Sequence, residues 1–113
     1  MDYAITNLRD VEDSAQKFGY GDKQESRFPG SDLGTQATGL AYHVVKPDRR
    51  QPFGHRHDEA EEVHVVIAGY GILKLDDETH EVRALDAIRV APGVARGFEA
   101  GPATSLRATQ ARS

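Results

Sequence analysis

His55-Arg56-His57-Asp58-Glu59-Ala60-Glu61-Glu62-Val63-His64-Val65-Val66-Ile67-Ala68-Gly69 holds most of the chemistry in this chain. In an extended segment successive side chains alternate between faces, so His55 and His57 point the same way. From Glu62 onward the same period puts Glu62, His64 and Val66 on one face and Val63, Val65 and Ile67 on the other. An acid- and imidazole-bearing face opposite an apolar triplet suits neither a simple surface strand nor a simple core strand. The expectation is that Glu62 looks into a polar cavity, while the valine–isoleucine face packs elsewhere in the protomer or on a partner. Two imidazoles, with a carboxylate returning to them from a neighbouring strand, make the facial triad of a metal site with open coordination positions.

Working outward, turn residues cut the chain into short β-type runs. Gly39 to Lys46 is stopped by Pro47-Asp48, and a segment around Phe53 to His57 precedes the run Glu62 to Ile67. Gly69-Tyr70-Gly71 reads as a hairpin turn into Ile72-Leu73-Lys74-Leu75, and Asp76-Asp77-Glu78 turns the chain again into Thr79 to Arg83. Asp86 to Val90 leads to Pro92-Gly93, and Gly97-Phe98-Glu99 and Ser105 to Thr109 supply two last strands. Such a series predicts an all-β antiparallel sandwich or barrel. Residues 1–37 read as an N-terminal extension with edge segments and 38–113 as the barrel, within a single domain. The extension offers one short helix, over Asn7 to Asp13, with Asp10 as its cap.

At 113 residues the chain has room for one core. Its 38% apolar and 28% charged residues read as an ordinary soluble protein, and a net charge of −4 with scattered basic residues argues against nucleic acid or an anionic membrane as partner. Without cysteine, neither a disulfide framework nor a thiolate metal site is open to it. Met1 to Thr6 carry no basic segment leading into an apolar run, and no stretch nears the roughly 20 apolar residues of a membrane span. The expected location is the cytoplasm.

Pro52 to Gly69 resembles the first motif of the cupin superfamily: Gly, five residues, His-x-His, three or four residues, Glu, six residues, Gly. His55, His57, Glu62 and Gly69 fall in place with four residues in the gap, although Arg49 stands where the leading glycine is expected. The second motif is Gly, five residues, Pro-x-Gly-x-x-His, three residues, Asn, and it aligns with Leu85 to Ala100. There Gly93 matches strictly, while Leu85, Ala91, Arg96 and Ala100 replace Gly, Pro, His and Asn. The resemblance covers roughly residues 38–109. It implies a cupin-type antiparallel jelly-roll barrel with a site in its mouth, and a homodimer.

In relatives with both motifs complete, a histidine at position 96 joins the other three ligands. Arg96 cannot, because a guanidinium has donors only and does not deprotonate. The resemblance therefore implies a divalent first-row metal (Fe, Mn, Ni or Zn) held by His55, His57 and Glu62. Against it stands a barrel without metal, in which Glu62 pairs with Arg96 in the bidentate geometry that suits arginine and carboxylate.

With a metal, Arg96 would orient an anionic group of a small-molecule ligand, and His64 or Tyr42 would move a proton. Oxygenation, isomerisation and decarboxylation are the reaction classes reached that way. The rival expectation is a non-catalytic ligand-binding or sensing barrel. His43 is as apt to face inward as outward, and His80, among charges after a turn, belongs in solvent. Asp58-Glu59-Ala60-Glu61 lacks the central glycine of a calcium loop and reads as a solvated connection.

Overall fold

A computed structural model describes residues 2–52 and 59–112. Among these residues, eight strands form two antiparallel sheets: β1 (Gln24–Arg27), β2 (Gly39–Val45), β3 (Glu62–Ala68), β4 (Tyr70–Leu75), β5 (Glu78–Arg83), β6 (Ala87–Val90), β7 (Arg96–Ala100) and β8 (Leu106–Arg112). The five-stranded sheet has the order β1-β2-β8-β3-β6 and the three-stranded sheet the order β5-β4-β7. The all-β antiparallel expectation holds, and the run boundaries shift by one to three residues, the most at the end of β8. The expected strand around Phe53 to His57 lies outside the described residues.

The alternation within each strand sets what faces inward. Val45, Val66, Leu106 and Ala108 from the larger sheet meet Leu73, Val82, Phe98 and Ala100 from the smaller one in a single buried cluster. Each large aliphatic or aromatic side chain closed off there contributes about 1.5–3 kcal/mol. On β3 the two faces separate as their spacing predicts: Glu62, His64 and Val66 are buried. The opposite face does not pack elsewhere in the protomer, since Val63 and Ile67 are 44% and 47% exposed.

Gly69-Tyr70-Gly71 is not a hairpin turn, because β3 and β4 belong to different sheets. Gly69, at φ 82°, takes the chain around the corner between them, where a Cβ would stand 2.1 Å from the carbonyl oxygen of Ser105. That position admits only glycine. Leu85 adopts φ 74° between β5 and β6 with an exposed side chain. It stands where the second motif has its first glycine, and the left-handed backbone there explains why glycine is favoured.

The N-terminal segment is also more structured than its composition suggests. Asn7, not Asp10, caps a 3-10 turn over Leu8–Asp10, and Asp13 caps a helical turn, α1 (Ser14–Lys17). Asp13 Oδ1 accepts from the N–H of Ala15 at 3.0 Å and from that of Ser26 at 2.9 Å, which ties α1 to β1. A second short helix, α2 (Gly30–Leu33), follows β1. β1 has no apolar residue, yet it pairs along the edge of β2 from Gln24↔Val45 to Arg27↔Tyr42. These elements cover one side of a cavity between the sheets. Among the described residues, no helix is long and apolar enough to cross a membrane.

Candidate functional site

The cavity measures about 580 Å³, inside the range of roughly 300–1,000 Å³ of small-molecule sites. Ala41 and His43 of β2, His64 of β3, Arg96 and Phe98 of β7 and Gln110 of β8 line its inner part, and Phe18, Tyr20 and Phe28 of the N-terminal segment close its side. Register explains the polar wall: His64 sits opposite Gln110, and Gln110 opposite Ala41, so these three form one row across the larger sheet. Pro92 to Ala95 then deliver Arg96 as the first residue of β7, facing that row from the other sheet.

Glu62 is the hub. Its Oε1 accepts from Arg96 Nε at 2.6 Å and His64 Nε2 at 3.1 Å, and its Oε2 from Arg96 Nη2 at 2.9 Å and Gln110 Nε2 at 2.8 Å. The arginine contact is bidentate and charge-assisted, the strongest common type. Burial alone would raise the Glu62 pKa, but hydrogen bonding to and the charge of Arg96, then those of His64, outweigh it and hold the carboxyl below its ordinary value. Such a pair is retained at a desolvation cost and is most sensitive to losing one member.

His64 is defined by the same contact. A carboxylate only accepts, so Nε2 carries the proton and Nδ1 keeps a lone pair in the neutral ring. Burial pushes the His64 pKa down, Glu62 pulls it up, and the charge of Arg96 adds to the lowering; the net shift is downward. The imidazole meets the ring of Phe98 edge-on at 5.7 Å. At the far side of the cavity, Gln24 Nε2 donates to Ser26 Oγ at 3.0 Å, and Ser26 Oγ is 2.9 Å from His43 Nδ1. Phe28 packs edge-on to His43 at 5.8 Å.

Against the expected metal, the described residues do not fit an ion held through Glu62. A carboxylate offers about four lone-pair directions, and N–H donors from Arg96, His64 and Gln110 approach both of its oxygens. A divalent ion would have to displace the guanidinium, whose fixed charge also opposes it. His55 and His57 lie outside the described residues, and among the described residues no three histidine, aspartate or glutamate side chains gather in a metal-binding group.

The structure thus brings together Glu62, His64 and Arg96 from the set expected to carry function. Tyr42 is not with them: it does not line the cavity, and its hydroxyl accepts from Arg107 Nη1 at 2.8 Å on the outside of β2. His43 faces inward, and His80 is exposed beside Glu78. Sequence reasoning missed Gln110, Gln24 and Ser26. Gln110 was readable from the alternation Leu106, Ala108, Gln110, which places a polar side chain on an inward position of β8.

The sequence matches the cupin domain family over residues 41–108. No curated protein matches the chain. Among solved structures, a cupin protein from Bacteroides fragilis superposes with a TM-score of 0.81 at 18% identity, covering 99% of this chain and 84% of that one. A polyketide cyclase from Streptomyces resistomycificus gives 0.79 at 24%, covering 96% and 77%. A cupin-superfamily sugar phosphate isomerase from Silicibacter pomeroyi gives 0.79 at 17%, covering 96% and 74%. At these identities the likeness is one of fold, and one fold hosts many functions.

Proposed function

Starting from a chain that belongs to the cupin domain family, we propose a small-molecule-binding barrel in which Arg96 supplies the fixed positive charge beside Glu62 that a metal would otherwise bring. The observation that carries this reading is the buried Glu62 carboxylate, engaged from the cavity side by three residues that line the 580 Å³ cavity, Arg96, His64 and Gln110. With the carboxylate and guanidinium neutralising one another, the inner wall at Arg96 presents no net charge, and the other arginine among the described lining residues, Arg112, is exposed near the end of β8. A neutral ligand therefore suits the inner cavity better than the anionic one that an unpaired Arg96 would hold. Apolar lining supplies affinity and a few polar atoms supply orientation, as in small-molecule sites generally. Turnover is not part of the proposal.

A homodimer through the outer face of β3 belongs to the same reading. Val63 and Ile67 support it by their exposure, and light scattering on the purified protein tests it.

Binding is tested with N-phenyl-1-naphthylamine, a neutral fluorescent probe, on untagged protein. Saturable fluorescence enhancement is expected, and its loss in Ala41→Phe, which fills the cavity from β2, with an unchanged circular dichroism spectrum. Absence of saturable binding to the wild type would overturn the reading. A competing metal reading, carried by the match of His55, His57 and Glu62 to the first family motif, requires about one equivalent of first-row metal in that untagged protein.

A further inference from the structure

Gln110 and Arg96 both donate to Glu62 Oε2, Gln110 Nε2 at 2.8 Å and Arg96 Nη2 at 2.9 Å, so the two groups meet at one oxygen. That contact fixes what each turns away from the carboxylate. A carboxylate only accepts, so the Gln110 amide gives it an N–H and keeps Oε1 as an acceptor. Arg96 spends Nε and Nη2 on Glu62 and keeps Nη1 as a donor. Neither Gln110 Oε1 nor Arg96 Nη1 has a hydrogen-bond partner among the described residues. Neither is sealed off: the unpartnered atoms without accessible surface are His64 Nδ1 and Gln24 Oε1. Gln110 and Arg96 both line the cavity, which therefore has one polar station offering a donor beside an acceptor.

The rest of the cavity is aromatic. Four of the seven aromatic residues described, Phe18, Tyr20, Phe28 and Phe98, line it. Phe98 is buried beside His64, whereas Phe18 and Phe28 are 72% and 53% exposed. Large apolar rings left open at the rim of a cavity are surface that a bound ligand would cover. The strand registers relate this rim to the polar station. Gln110 pairs with Ala41, and Phe28 follows Arg27, whose partner is Tyr42, so Phe28 comes beside Ala41. Two strand spacings, about 10 Å, separate Gln110 from Phe28. The small side chain of Ala41 leaves the way between them open.

We infer that the ligand is an uncharged aromatic molecule with one hydroxyl group at its inner end, accepting from Arg96 Nη1 and donating to Gln110 Oε1. This rests on the cavity reading above and adds the chemical class. A hydroxyl fits because its single oxygen both accepts and donates. A carbonyl would answer Arg96 and leave Gln110 Oε1 unpaired. A carboxylate would do the same, and Glu62 already offsets the charge of Arg96. The aromatic body follows from the rings at the rim, because ring pairs gain more than the burial of their area alone.

Equilibrium dialysis of the full chain against 2-naphthol, 2-methylnaphthalene, decahydro-2-naphthol and 2-naphthoate tests the inference. 2-Naphthol is expected to bind about tenfold more tightly than 2-methylnaphthalene, in which a methyl group replaces the hydroxyl. It is expected to bind about threefold more tightly than decahydro-2-naphthol, its saturated counterpart. In Gln110→Leu, with Gln110→Met as a second variant, the first ratio falls to about threefold or less, because Arg96 alone still holds the hydroxyl. In Phe28→Leu the second ratio falls to about one. Equal affinity of the wild type for 2-naphthol and either comparator, a first ratio unchanged in both Gln110 variants, or tightest binding by 2-naphthoate would sink the inference. Saturable binding of the naphthylamine probe would then leave the cavity reading intact. Failure of all four compounds and of that probe would remove both.

Discussion

Arg96 and Glu62 join the two sheets through a paired contact, Nε to Oε1 at 2.6 Å and Nη2 to Oε2 at 2.9 Å, with both side chains almost wholly out of solvent. The pair links the first residue of β7 to the first residue of β3. It spans the sheets where the apolar cluster gives way to the cavity.

Removing one partner leaves the other charge buried without its counterpart. Arg96→Met is expected to lower unfolding free energy by about 3–5 kcal/mol, measured by urea denaturation. The double variant Glu62→Gln with Arg96→Met recovers most of that loss, because no lone charge remains. A double variant as unstable as the sum of the singles would show that the pair is not coupled.

Acid should act through this cluster as well. The folded-state pKa of Glu62 is held below its ordinary value, so the stability it contributes is present above the unfolded value and is lost as pH falls through the folded one. For His64 the folded pKa is also lowered, chiefly by burial, so the unfolded chain takes up its proton first. Stability therefore declines as pH drops below the ordinary histidine value, and further below the ordinary carboxylate value. Wild-type protein is expected to lose more stability between pH 7 and pH 4 than Glu62→Gln with His64→Phe. Parallel curves would show that these two groups do not carry the acid sensitivity.

Two left-handed positions make opposite predictions. Gly69→Ala meets the Ser105 carbonyl oxygen at 2.1 Å in a backbone at φ 82°, and a cost of at least about 2 kcal/mol follows. Leu85→Gly relieves a φ of 74° at an exposed side chain. A gain of about 0.5–1 kcal/mol remains after the extra freedom glycine gives the unfolded chain. Thermal unfolding of both variants checks the pair, and a Leu85→Gly protein that melts lower than wild type would contradict the strain argument.

How far these features were legible follows from the kind of signal each one leaves. The two faces of β3 could be read from period, whereas the pairing of Glu62 with Arg96 entered as an alternative to the metal, through the resemblance that sets Arg96 in a histidine's place and the fit of guanidinium to carboxylate. β1 could not, because Gln24-Glu25-Ser26-Arg27 has no apolar residue and becomes a strand only by pairing with β2. Its inward side chains face a cavity rather than a core, so the usual alternation is missing. Gly69 showed that a turn was needed, but a hairpin and a corner between sheets both demand it, and only the sheet assignment separates them. Tyr42 was expected to move a proton, whereas the strand period sends it to the opposite face from Ala41 and His43.

Arg96 is where the chain departs from a complete metal-binding motif. Arg96 both occupies the Glu62 oxygens and places a positive charge where the second motif has a histidine. In Arg96→His the carboxylate keeps Gln110 and His64 as donors, but its bidentate partner is gone and a neutral imidazole replaces the repelling charge. That variant is expected to take up zinc or nickel to about one equivalent under conditions where the wild type retains less than about a tenth of that, measured by elemental analysis of untagged protein after dialysis. Uptake should vanish when Glu62→Gln is added, because an amide is a poor ligand beside a carboxylate. If the wild type already holds a full equivalent that Glu62→Gln abolishes, then Arg96 yields its place to the ion and is not a substitute for it. If Arg96→His gains nothing, position 96 does not decide between cation and metal, and the charge beside Glu62 serves the fold alone.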